Sequence, residues 1–247
     1  MKLTLAFCTA LVAASLAAHA ADVTAPGAAA KPAGKVAAPV VPAPAPAPVV
    51  IVETNVFKEP GKTFTNGVDM VLLAVPGGFW AGEHLVTQKE YSKVMDANPS
   101  QFAGDSRPVD SISYEDALAF CKKMTAMDIE KKKLKEGYRY ELPTEHEWEA
   151  LVADAELDTA VTSQNASRSG TSPVGSMASN ALGLFDIRGN LWEFCSGDDS
   201  KAYRVLRGAS WQDHIEVNLR PEFRWYCKPD EKLNTFGFRV LLRKTGA

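Results

Sequence analysis

Apolar residues along this chain change their spacing several times, and the changes mark its elements. Val68 to Val75 is a short apolar, partly β-branched run ending at Pro76-Gly77-Gly78, which predicts a strand closed by a turn. Thr87-Gln88-Lys89-Glu90 has the capping-box spacing, so a helix is expected through Tyr91, Val94 and Met95, stopping before Asn98-Pro99. Ser113 opens a second helix. Its Tyr114, Ala117, Leu118, Cys121 and Met124 recur at helical spacing and are expected to face the core. Thr144 with Glu147 caps a third helix carrying Trp148 and Leu151.

Beyond Gly170 the periodicity fades. Short apolar stretches alternate with Gly, Asn, Ser and Asp, and only Tyr203–Arg207 and Phe236–Leu242 read as strands. Such long loops need something to pin them: a metal ion, a disulfide or buried tryptophans.

Two N-terminal pieces stand apart from this pattern. Lys2, the apolar run Leu3–Ala18 and Ala18-His19-Ala20 have the layout of a cleavable export signal over residues 1–20, with a retained anchor as the alternative. Residues 21–51 are dominated by Ala, Pro and Val, with Pro and Ala alternating from Pro42 to Pro48; this is the composition of an extended spacer. Residues 52–247 are then expected to form one globular domain, exported to the periplasm, the cell surface or the medium, with no transmembrane segment in the mature chain.

Composition adds limits. Of 247 residues, 46% are hydrophobic and 23% charged, enough apolar residues for one sizeable core. The net charge of -3 argues against a nucleic-acid partner. Without the leader and its Cys8, three cysteines remain, Cys121, Cys195 and Cys227, so at least one has no partner within the chain. Cys195 and Cys227 either close a loop of about 30 residues as a disulfide or stay unpaired.

Seven phrases occur in a fixed order: Val75-Pro76-Gly77-Gly78-Phe79; Val86-Thr87-Gln88-Lys89-Glu90-Tyr91; Arg107-Pro108-Val109 with Ser113-Tyr114-Glu115-Asp116-Ala117; Leu142-Pro143-Thr144-Glu145-His146-Glu147-Trp148; Gly183-Leu184-Phe185-Asp186-Ile187-Arg188-Gly189-Asn190-Leu191-Trp192-Glu193; Arg207-Gly208-Ala209-Ser210-Trp211; and Gly237-Phe238-Arg239-Val240. Together they resemble the formylglycine-generating enzyme, or sulfatase-modifying factor, family over nearly all of residues 65–243. The resemblance implies an α+β, C-type-lectin-like fold that is loop-rich and forms a single domain.

The resemblance also implies an oxidation of a sulfatase cysteine at copper held by two thiolates. The two cysteine positions fall here on Asp213 and about Leu219, and neither is a thiol, so no catalytic residue and no copper are expected. A family calcium site is matched by Asp186, Gly189, Leu191 and Glu193, two carboxylates and two carbonyls, which suits an oxygen-seeking cation. The family's substrate groove maps onto Ser210, Trp211, Asp213, Arg220 and Arg224, with structural ion pairing as the competing reading for the two arginines. Trp192 is expected in the core. The expected function is therefore a pseudoenzyme-like binding or structural module of the cell envelope, with a peptide, protein or glycan ligand. The alternative is a metal-dependent oxidoreductase of the formylglycine-generating type.

Overall fold

The computed structural model describes residues 61–165, 169–197 and 202–246, so the expected export signal (1–20) and spacer (21–51) lie outside the described residues. Three helices and nine strands are present among those residues. The strands form two sheets. Strands β1 (Thr63–Thr65), β2 (Val71–Val75), β3 (Phe79–Gly82), β9 (Leu241–Lys244) and β4 (Tyr138–Glu141) lie in that order in an antiparallel sheet. Strands β7 (Trp225–Cys227), β6 (Arg204–Arg207), β5 (Trp192–Cys195) and β8 (Phe236–Gly237) form the second, in which only β5 and β8 run parallel.

All three predicted helix starts form, each as a capping box. Thr87, Ser113 and Thr144 each accept a backbone N–H at the start of α1 (Gln88–Met95), α2 (Tyr114–Glu130) and α3 (Glu145–Val152), and the side chain three residues on closes each box. Helix α2 packs into the main core. Phe120 stacks on Tyr91, with ring centroids 5.5 Å apart and planes 4° apart, and meets Phe238 edge-on at 5.2 Å. Tyr114, Ala117, Cys121 and Met124 are buried as expected, whereas Leu118 is only half-buried, and Phe120 takes the central place.

Two predicted strand boundaries move, each for a local reason. The strand expected from Val68 is β2 and begins at Val71, because Asn66 Oδ1 accepts the N–H groups of Val68 and Met70 and folds the chain into a turn. The run Phe236–Leu242 is two strands. Between them the chain passes from one sheet to the other, with Arg239 turned inward. Strands β5 and β7 lie in stretches whose short length and mixed polarity hide any period of two.

Cys121, Cys195 and Cys227 are all free and buried, so the bridged alternative for Cys195 and Cys227 does not hold. Strand β6 lies between the strands that carry them. Cys195 is opposite Val205 and Cys227 opposite Arg204, adjacent positions that face opposite sides of the sheet. Two strand spacings come to about 9–10 Å, beyond the roughly 7 Å reach of a disulfide. No described helix is long and apolar enough to cross a membrane.

Candidate functional site

The two positions where thiolates would be needed are closed. Asp213 Oδ2 accepts the N–H and Oγ–H of Ser210 at 2.9 and 2.7 Å, and Oδ1 accepts from Asn218 Nδ2 at 3.2 Å. The carboxylate thereby staples the turn after Ser210, which is itself buried. Leu219 is buried in the main core, and its carbonyl accepts from Arg188 Nη2 at 2.6 Å. An oxygen that holds a turn and an aliphatic side chain that fills a core offer nothing to a soft metal.

The remaining groove residues diverge. Half-buried Trp211 meets Phe102 edge-on at 5.2 Å and donates Nε1–H to Asn234 O. Arg220 is exposed and reaches Glu216 at 3.4 Å. Arg224 is drawn to α3, where Glu145 and Glu149 also bracket Arg207, each at 2.8 Å. Arg207 is fully buried, donates to Pro221 O and lies over the Trp148 ring. Arg224 thus makes ion pairs with both carboxylates. Its pairing with Glu145 raises its own pKa.

The same segment carries a feature that the sequence reading missed. All six exposed large hydrophobics among the described residues fall between positions 203 and 233: Tyr203, Ile215, Val217, Trp225, Tyr226 and Leu233, from 36% exposed at Trp225 to 58% at Tyr226. Trp225 and Tyr226 lie on β7, an edge strand. Trp225 leans on buried Trp192, 5.9 Å between centroids, which fixes its ring while leaving it in solvent. The available signal was an aromatic pair and two β-branched residues in a loop with no buried-face period.

The calcium candidates sit in a different environment. Asp186 has φ 53°, and its Oδ2 accepts the Gly175 N–H at 2.7 Å. Glu193 is fully buried and receives two bonds from Arg239, Nη2 to Oε1 at 3.0 Å and Nε to Oε2 at 3.2 Å. Burial raises the pKa of both carboxylates, and for Glu193 that outweighs Arg239. Gly189 (φ 80°) passes against Val161, where a Cβ would lie 2.6 Å from the carbonyl oxygen. These observations fit a cation that takes oxygen ligands.

Fold and site together define a C-type-lectin-like α+β domain of the formylglycine-generating type in which the thiol pair is replaced. The family model for the sulfatase-modifying factor enzyme 1-like domain matches residues 71–156 and 153–244, and the chain belongs to that family. It is 25% identical over 229 residues to Chaperone protein LppX of Paenibacillus barcinonensis, covering 68% of this chain and 80% of that one. It is 36% identical over 78 residues to the Inactive C-alpha-formylglycine-generating enzyme 2 of Bos taurus, covering 28% and 26%. Relatives other than the chaperone are matched over only 20–26% of their own length. Among solved structures, Treponema denticola variable protein 1 superposes with a TM-score of 0.62 at 25% identity, over 74% of this chain and 98% of that one.

Proposed function

We propose that this chain is a non-catalytic binding module of the cell envelope, exported on its leader and carried on the Pro/Ala-rich spacer. Its ligand, a peptide, protein or glycan, docks on the face built from residues 203–233. The carrying observation is that every exposed large hydrophobic among the described residues lies in that segment, beside a catalytic position closed by Asp213 and Leu219. Exposed apolar side chains gathered in one segment of the chain are candidates for an interaction site, and Trp and Tyr are frequent anchors there. The name of the Paenibacillus relative, a chaperone, favours a protein ligand; that of the bovine relative, an inactive enzyme, favours binding over chemistry.

Calcium belongs to this reading as a structural ion. Asp186 and Glu193 would hold it with the carbonyls of Gly189 and Leu191, and it would pin the loop leading into β5.

The test is crosslinking in envelope preparations, comparing the native chain with a Trp225→Ser, Tyr226→Ser variant of unchanged melting temperature. A partner crosslinked by the native chain should be lost at least tenfold by the variant, corresponding to about 1.4 kcal/mol. Equal recovery by both chains refutes the assignment of the face. Recovery of the chain in the cytoplasmic fraction refutes the envelope.

A further inference from the structure

A second site lies on the far side of the Trp211–Phe102 contact. A cavity of about 450 Å³ is lined chiefly by Phe102, Arg107, Ser169, Gly170, Thr171 and Ser172. Its lining is hydroxyls, backbone and one guanidinium, with Phe102 as an aromatic wall.

Arg107 is fixed from both ends. Pro108 follows it and favours an extended backbone at position 107. Its carbonyl accepts the Gln88 N–H at 2.9 Å, and its own N–H donates to Gly104 O at 2.9 Å. The stem folds over bare Gly104, where a Cβ would lie 3.1 Å from Arg107 Cδ. Buried Gln88 holds this wall in place by donating to Phe102 O and Pro108 O and accepting from Gly104 N.

The opposite wall is equally constrained. A Cβ at Gly170 would lie 2.6 Å from the Phe102 ring, so the segment can lie against it only as glycine. Ser172 N–H donates to Asn190 Oδ1, and Val174 N–H to Ser106 O. Thr171 is buried, and its Oγ1 accepts from Arg107 Nη1 at a long 3.4 Å.

That weak bond is the only side-chain partner of the guanidinium among the described residues. No carboxylate there lies within ion-pair distance of it. Arg207, Arg224, Arg239 and Arg243 all have one or more. A half-buried guanidinium on an anchored backbone, with a planar fork of donors left over beside hydroxyls, is matched by an oxyanion.

We propose that this cavity is an oxyanion-binding subsite, in which Arg107 takes a carboxylate, sulfate or phosphate group and the hydroxyls of Thr171 and Ser169 complete its shell. The assignment stands apart from the apolar face and does not require it. The group arrives either as a free inorganic ion or as part of a larger acidic ligand whose remainder runs past Phe102 toward Trp211.

The experiment is an amide NMR titration of the full chain at constant ionic strength with inorganic phosphate, acetate and glucuronate, and with chloride as control. Saturable shifts at the amides of Gly170, Thr171 and Ser172 in the millimolar range are expected, absent with chloride. Arg107→Gln should weaken binding at least tenfold, and Thr171→Val should weaken it less. Trp225→Ser should leave it unchanged. Tighter binding of glucuronate than of acetate and phosphate assigns the group to a larger ligand; tightest binding of phosphate assigns it to a free ion. Shifts that never saturate, or that are the same in Arg107→Gln, overturn the subsite.

Discussion

Arg239 Nη2 lies 3.0 Å from Glu193 Oε1, and neither side chain has any exposure. The guanidinium also donates to Gly82 O and Phe185 O, each at 2.7 Å. It thus joins the end of β3, the Asp186 loop and β5 at the point where the chain crosses between sheets. Removing one partner of a buried pair leaves an uncompensated charge, a cost of about 3–5 kcal/mol. Arg239→Met should lose that much in urea unfolding. Adding Glu193→Gln to it should recover part of the loss, because the orphaned charge goes with it. A loss well below 1 kcal/mol for the single variant would mean that the pair contributes little.

Calcium should stabilise the domain. A ligand that binds only the folded state adds RT ln(1 + [L]/Kd), about 2.7 kcal/mol at a hundredfold excess over Kd. The melting temperature should fall in chelator and recover with calcium, and Asp186→Ala should erase the difference. Identical melting of the native chain in chelator and in millimolar calcium rules the site out.

The helix starts were legible because each is a local chemical event. Thr87, Ser113 and Thr144 cap with a carboxylate three residues on, and nothing distant is needed. The ordered phrases likewise pointed to the fold before any contact was known. What stayed hidden is non-local. The inward turn of Arg239 depends on where Glu193 lies, 46 residues earlier in the chain. The carboxylate that Arg224 pairs with, Glu145, lies 79 residues away in the chain. The exposed aromatics of β7 look like any apolar residues until the sheet shows β7 at an edge.

No formylglycine should form. Incubated with copper, reductant, oxygen and a Cys-x-Pro-x-Arg peptide, the domain should leave the peptide cysteine unchanged in mass. The positions that need thiolates hold a carboxylate already engaged by Ser210 and Asn218 and a leucine buried in the core. Aldehyde reactivity appearing on the peptide would restore the oxidoreductase reading.

With residues 1–20 removed, the chain should show three titratable thiols in denaturant without reductant, and none in the native state. Burial pushes the Cys227 thiol up to about 12, and raises Cys121 and Cys195 as well, so little reactive thiolate forms near neutral pH. One thiol in denaturant would show that Cys195 and Cys227 are bridged in solution despite the strand between them.

Acid should loosen α3 through Glu147. Its carboxylate accepts the N–H and hydroxyl of Thr144, each at 2.8 Å, and both Nη groups of Arg243 at 2.8 and 3.1 Å. Partial burial pulls its pKa upward, but the bonds from Arg243 and Thr144 outweigh it and the net shift is down from 4.5. A depressed carboxylate pKa means that the ionised form is favoured by folding. Its contribution is present above the unfolded value and is lost as pH falls through the lower folded value. Glu147→Gln should cost about 1–2 kcal/mol at neutral pH through the lost box and ion pair, and the gap from the native chain should close below about pH 4. Because α3 also carries Glu145 and Glu149, which hold Arg207 and Arg224, ligand capture on the 203–233 face should weaken over the same range. A stability gap that stays constant from neutral pH to well below pH 4 would show that Glu147 acts by packing and not by charge.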